Sequence, residues 1–385
     1  MRSRFIEVFL LQAFYCLPSC LGWSFALLFY TKLGFSTMQI ISFYLIHYLT
    51  ILSVTMFLRK IRVFSLIKIS LFLCALGYLL VYSLKGIIGF SMIPILFGLA
   101  APLFWIPYNI TYFRFTKSDS KALLSGFLFL VTPLLNTVVP FASGVIIESF
   151  GFRMIFLISI MTVLIALAYT IVVGDQKTLD LDYWRAIRRT KGVRTLVWIE
   201  GVWQGVAWTC IPLMTFDFIN SGLKYGAFLS YLGIVGAVSV LLLCKISDKL
   251  RNRTFFILPV VTLASIVTIA GGFTQTFGGW VLINGLISFF IAMTSPFTIS
   301  VILDKAGDVR DSMVSREFFL NTGRTIGVVV ILLSYHFFRS LNYALIAAGL
   351  VLILYPVVLM AKRLYPNRFS LRGILSGEVH EFQDT

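Results

Sequence analysis

A succession of apolar runs, each about as long as a bilayer is thick, constrains this chain more than anything else in it. A hydrocarbon core of about 30 Å takes roughly 20 helical residues. Windows of that length fall at 8–31, 36–58, 64–83, 88–112, 122–147, 153–173, 195–219, 225–244, 254–273, 279–303, 317–338 and 342–362. Inside a bilayer the backbone has no water to bond, so such runs close their hydrogen bonds within helices. Composition agrees: of 385 residues 59% are hydrophobic and 12% charged, about half the charge that covers an ordinary soluble domain. The expected fold class is an all-α polytopic membrane protein with twelve transmembrane helices. The first run follows Arg2 and Arg4 as a signal peptide would. It is too long for one, however, and carries Gln12 and Pro18 with no small-residue cleavage site after it, so it is expected to be a retained helix.

Basic residues give the expected orientation. With the N-terminus inside, 26 of the 32 Lys and Arg fall in segments on the N-terminal side of the membrane, 5 on the other side, and Arg324 within a span. Both termini are therefore expected to be cytoplasmic, in a plasma-membrane protein. The same bias accounts for the net charge of +16, which needs no nucleic-acid partner to explain it. Cys16, Cys20, Cys74, Cys210 and Cys244 all lie in apolar runs without accompanying histidines, so no disulfide framework, metal site or cofactor is expected.

The longest polar stretch, 174–194, falls after the sixth run. It divides the chain into a six-helix half (1–174), a cytoplasmic linker (175–194), a second six-helix half (195–362) and a cytoplasmic tail (363–385). Landmarks recur across the divide at an offset of about 187 residues: the turn at Leu33-Gly34-Phe35-Ser36 against Ser221-Gly222-Leu223, and the basic loop Arg59–Arg62 against Lys245–Arg253. Parallel repeats of this kind build one class of transporter.

Charged and amide side chains within spans are costly and normally face a bundle interior. Here they are Gln12, His47, Asn109, Asn136, Glu200, Gln204, Asn284, Asn321 and Arg324. Gln12, Tyr15, Cys16, Ser19 and Trp23 share one face of the first helix, and Glu200, Trp203, Gln204, Trp208 and Ile211 one face of the seventh. These stripes read as two walls of a central cavity. Glu317, Asn321 and Arg324 lie on one face of the eleventh helix. Gly323 and Gly327 beside Arg324, and Gly201 and Gly205 beside Glu200, are small-xxx-small pairs that let helices approach closely. Arg324 cannot shed its charge and needs an anion, with Glu200 the first candidate and Glu317 the second. Asp304, Asp308 and Asp311 read as solvated loop acids.

Three segments resemble the major facilitator superfamily. Val139 to Arg153 is similar to its fifth-helix pattern GPxxGGxxxexfGwR, with Val139 and Ser143 where glycines are usual. Lys245 to Arg253 is similar to its GxxxDrxGRR loop, of which Arg59-Lys60-Ile61-Arg62 keeps only the basic charge. Tyr30 to Ile40 resembles its first external turn. The resemblance implies two six-helix pseudo-repeats, with the first, fourth, seventh and tenth helices lining a cavity. It also implies a substrate set of Gln12, Tyr15, Trp105, Asn109, Asn136, Trp203, Gln204, Trp208, Asn321 and Arg324, and a gate at Asp248, Arg251 and Arg253. Glu200, His47 and Glu317 are the coupling candidates.

The expected activity is secondary active transport of a small organic solute, by symport or antiport, with H+ or Na+ as the coupling ion, in a monomer whose surroundings are the lipid bilayer. Export of hydrophobic compounds, and a transport-dead sensor or scramblase on the same fold, are the alternatives. No Walker, HExxH or GxSxG motif occurs, and neither direct use of ATP nor enzymatic catalysis is expected.

Overall fold

The computed structural model describes residues 2–114, 121–173, 178–249, 253–306 and 308–362, without the side chains of 2–6, 8, 114, 121–127, 172–173, 243–249, 253–256 and 304–306. All twelve apolar runs are helical. The first is Arg2–Pro18 (α1), a π-helical turn Ser19–Trp23 and Ser24–Lys32 (α2). Thr37–Phe57 (α3), Val63–Tyr82 (α4), Gly86–Arg114 (α5), Lys121–Phe150 (α6) and Phe152–Val173 (α7) complete the first six crossings. After a short helix, Tyr183–Arg189 (α8), come Arg194–Thr215 (α9), Gly222–Lys249 (α10), Arg253–Gly271 (α11), Phe277–Ala306 (α12), Val309–Phe338 (α13) and Asn342–Ala361 (α14). Among the described residues ten helices are long and apolar enough to cross a membrane, and Ile257–Gly271 is a shorter apolar helix. The remaining crossing, α9, is made less apolar by Glu200 and Gln204. The chain is a multi-pass membrane protein.

Two helix pairs approach closely because glycine leaves room for backbone. Gly201 and Gly205 of α9 face Leu320 and Arg324 of α13, while Gly323 and Gly327 of α13 face Trp198 and Val202 of α9; a Cβ on Gly205 would stand 2.7 Å from Arg324 Cα. The two pairs legible in the sequence are thus two sides of one seam. Between the first and last six crossings, Gly226 and Gly233 of α10 lie against Pro140 and Asn136 of α6, and a Cβ on Gly144 would stand 2.7 Å from the Gly222 carbonyl oxygen. Glu148 caps this contact by accepting from the Leu223 amide at 3.3 Å. The fifth-span segment singled out in the sequence therefore runs along that junction.

On the face that carries the helix ends richest in Lys and Arg, the chain is knitted together. Lys60–Arg62 (β1) pairs antiparallel with Thr178–Asp180 (β2), Lys60 opposite Asp180 and Ile61 opposite Leu179. Ile61 and Leu179 turn inward and are buried, and the Leu181 amide extends the ladder to the Arg59 carbonyl at 2.8 Å. Asp182 then caps α8 by accepting from the Arg185 amide. From α8, Arg185 and Arg189 reach Asp311 of α13 at 3.2 and 2.9 Å, and Tyr183 packs edge-on against Phe318.

Asp311 corrects the sequence reading. It is buried, 1% exposed, because α13 starts at Val309, eight residues before the apolar window, on an N-cap at Asp308. Asp308 is ion-paired to Arg310. The residues between 309 and 317 are too polar for a hydropathy window to include, and α8 covers them.

Candidate functional site

A cavity of about 730 Å³ lies between the two sets of crossings. Gln12, Tyr15, Trp105, Asn109 and Asn136 line it from one side, and Trp203, Gln204, Trp208, Asn321 and Arg324 from the other. His47 and Glu317 also reach it. The expected walls from the first, fourth, seventh and tenth crossings are present, as α1, α5, α9 and α12. The lining extends further, to α3 through Tyr44, His47 and Tyr48, to α10 through Tyr225 and Phe228, and to α13. The side chains of Asp248, Arg251 and Arg253, the expected gate, lie outside the described residues.

Local backbone irregularity shapes the first wall. Pro18 cannot donate an amide hydrogen to the preceding turn, and the five residues after it take a π turn, a feature that appears mostly as a single turn within α-helices. The Pro18 carbonyl accepts from the Tyr78 hydroxyl at 2.8 Å. Gln12 donates to the Leu128 carbonyl at 2.7 Å and accepts from Tyr108 at 3.0 Å, so both ends of its amide are engaged. The Tyr15 ring is stacked on Phe104 and edge-on to Trp105. His47 Nδ1 lies 3.3 Å from the Pro94 carbonyl oxygen, with its ring beside Trp23 and Tyr48.

The opposite wall holds the charges. Arg324 donates from Nε and Nη2 to Gln204 Oε1 at 3.0 and 2.6 Å, and from Nη1 to Asn321 Oδ1 at 2.9 Å. Its guanidinium carbon stands 4.6 Å from the Trp208 ring centre and 5.8 Å from that of Tyr48, within cation–π range of both. Gln204 passes the contact on, donating from Nε2 to Glu200 Oε1 at 2.9 Å, and Ser295 donates to the same oxygen at 2.7 Å. Glu200 Oε2 is buried without a hydrogen-bond partner among the described residues. On α13, Asn321 Nδ2 donates to Glu317 Oε2 at 3.3 Å, and Glu317 Oε1 pairs with Arg316 at 3.1 Å.

The direct Glu200–Arg324 pair expected from the sequence does not form, nor does a direct Glu317–Arg324 pair. Each carboxylate stands one amide away from the guanidinium. Glu200 and Gln204 share one face of α9, and Gln204, one turn further along it, meets the guanidinium first. Glu200 is not among the cavity-lining residues and sits behind Gln204 and Ser295. Sequence reading also missed Tyr48, one residue past His47, and Arg316, which is 6% exposed and had been counted with the positive-inside charge.

Asn109 and Asn284 complete the polar lining. The carbonyl oxygen of each is buried and lacks a donor among the described residues, leaving two acceptors at the cavity wall.

No protein-family model matches the chain, and no curated protein matches its sequence. Solved structures do match. A variant of the E. coli fucose:proton symporter FucP superposes with a TM-score of 0.70 over 93% of this chain and 98% of that one, at 12% sequence identity. This chain has the major facilitator fold. The observations that agree with it from within the sequence are the twelve crossings, the polar stretch after the sixth, and the fifth-span segment that lies along the junction of α6 and α10.

Proposed function

We propose that the chain is a secondary transporter that carries a small organic solute across the plasma membrane by alternating access. The halves 1–174 and 195–362 rock about the central cavity, and both termini are cytoplasmic. The observation that carries this reading is the cavity itself: about 730 Å³ enclosed between the two sets of crossings, within the range of small-molecule sites, and lined by a buried charged network that a purely structural junction would not need. Ionisable groups at this depth usually mark a solute or ion path.

The coupling ion in this reading is a proton, carried by Glu200. One carboxyl oxygen is held by Gln204 and Ser295, and the other has no partner among the described residues, an arrangement that can take up a proton without breaking an ion pair. FucP, whose fold this chain shares, is a proton symporter, which supports the choice. His47, whose ring nitrogen is held at the Pro94 carbonyl, is the second candidate.

The test is reconstitution into liposomes after a melting-temperature screen over sugars, organic anions, amino acids and drugs, in which a binder raises the midpoint by mass action. Uptake of the best binder, driven by an imposed pH gradient and abolished by an uncoupler, is the expected result. A binder that never crosses the membrane under any gradient would favour a sensor, and scrambling of labelled lipid in the same vesicles would favour a scramblase.

A further inference from the structure

We propose that the solute is an organic monoanion, and that its carboxylate docks on Arg324 where the guanidinium lies over Trp208. The inference rests on the transport reading above and names the substrate class of that same cavity.

A guanidinium has five N–H donors and is not deprotonated in proteins. Three of those of Arg324 are engaged, all with neutral amide oxygens. Two remain, one on each Nη atom, which is what a single carboxylate accepts in a forked pair. Among the described residues no carboxylate oxygen comes within ion-pair distance of Arg324. The nearest acids are committed elsewhere: Glu200 to Gln204 and Ser295, and Glu317 to Arg316 and Asn321.

The two amides are fixed in orientation by those acids. Gln204 turns its NH₂ to the Glu200 carboxyl oxygen at 2.9 Å, and Asn321 its NH₂ to the Glu317 main-chain carbonyl at 2.7 Å and side-chain oxygen at 3.3 Å. Each amide oxygen is thereby left facing Arg324. The guanidinium is thus gripped by two neutral groups and flattened on an indole, held in place and not neutralised by contact. A positive group fixed in this way, at the wall of a cavity of low polarity, is preorganised for an anion that enters and leaves. A permanent structural arginine would need a carboxylate beside it, and the two acids close enough to serve are each held one amide back.

The rest of the cavity describes the remainder of the solute. Tyr15, Tyr48, Trp105 and Trp208 supply apolar faces, while the acceptor oxygens of Asn109 and Asn284 call for a hydroxyl or N–H donor. A second negative charge on the solute would find no further N–H group on Arg324. Among the described residues the other cavity arginine, Arg316, has its charge paired to Glu317 at 3.1 Å, its buried Nε being a spare donor and not a second unpaired cation. The class is therefore a monocarboxylate with an apolar body and one or two hydroxyl or amide donors.

The experiment uses the purified full-length chain and matched pairs of probes: benzoate, phenylacetate, mandelate and hexanoate, each against its neutral amide. Carboxylates should raise the melting midpoint saturably while the amides leave it unmoved, and Arg324→Gln should weaken carboxylate binding at least tenfold and erase the discrimination. Gln204→Glu guards against misfolding, since it places a carboxylate on Arg324 itself. Because the same change removes the Gln204 bond to Glu200, the readout is the response and not the midpoint: a protein that still unfolds cooperatively should show no carboxylate response. Amides binding as well as acids, no carboxylate binding at all, or an undiminished response in Gln204→Glu would overturn the proposal. Liposome counterflow separates this failure from failure of the transport reading. Neutral solutes carried equally by wild type and Arg324→Gln overturn the anion site alone, whereas Arg324-dependent binding without exchange overturns transport and leaves the anion site standing.

Discussion

The two walls of the cavity are built from the same resources and use them in opposite ways. On the wall formed by the first six crossings, Gln12 closes on Leu128 and Tyr108, His47 on Pro94, and the Tyr15 ring stacks on Phe104, so that only neutral groups face the cavity there, Asn109 with an oxygen that lacks a donor among the described residues. On the opposite wall the groups are strung in a chain with unsatisfied ends, from a bare oxygen of Glu200 through Gln204 to an Arg324 with spare donors. A pseudo-symmetric fold has thus given shape to one half and charge to the other. The difference teaches that, if the proposed transport holds, the ionic group of the solute is read by the second half while the first supplies neutral surface, and closing the cavity would bring the two together. Arg324 already leans across that divide, toward Tyr48 of the first half.

Substitutions can break or sharpen this contrast. The largest effect is expected from Glu200→Gln: uphill accumulation driven by a pH gradient should vanish while counterflow exchange in the same liposomes persists, and loss of both would mean that Glu200 is merely structural. Next, Arg324→Lys keeps the charge and loses the fork. A charged hydrogen bond contributes about 1.5–3 kcal/mol, so solute affinity should fall roughly 10- to 150-fold by calorimetry. Trp208→Leu removes the shelf beneath the guanidinium. The cation–π contact is worth about 0.5–2 kcal/mol, giving an affinity loss of roughly 2- to 30-fold in the same titration. The smallest effect on the solute belongs to the other wall. Gln12→Leu strands the Tyr108 hydroxyl and the Leu128 carbonyl and should lower stability by about 1–3 kcal/mol per stranded group in thermal unfolding, with affinity unchanged. An affinity loss for Gln12→Leu as large as that for Arg324→Lys would dissolve the contrast.

Much of this fold is legible in the sequence. Hydrophobicity over 20-residue windows located all twelve crossings, because a bilayer leaves the backbone no alternative. The glycine pairs at 201/205 and 323/327 announced a close seam, helical periodicity put Gln12 and Gln204 on faces that line the cavity, and the family resemblance put Trp105 there. What escaped has a common cause. Periodicity tells which face a residue occupies, and depth tells its level, but neither ranks two candidates on the same face. Glu200 and Gln204 differ by one turn, and which of them Arg324 meets is decided by the packing of α13 on α9. Asp311 escaped because its partners, Arg185 and Arg189, are more than 120 residues away in a segment that reads as linker. The described residues stop short of the side chains at Asp248, Arg251 and Arg253, so the expected gate stands as a proposal.

The strand pair between Lys60–Arg62 and Thr178–Asp180 bears on that gate from the other half. In the second half the corresponding loop carries an acid and arginines; in the first only basic charge is left. A backbone ladder makes no demand on side-chain identity beyond alternating an inward apolar residue with outward polar ones, and Arg59-Lys60-Ile61-Arg62 meets that demand with Ile61 alone. This loop can therefore be fastened without the acid and glycines that a charge-based latch requires. The fastening also takes up the linker's slack, since only Leu181 and Asp182 lie between the strand and α8. Any separation of the two halves on this face must either peel the ladder apart or drag the loop along with α13, and exchange of the Leu181 amide hydrogen with solvent would time that event directly.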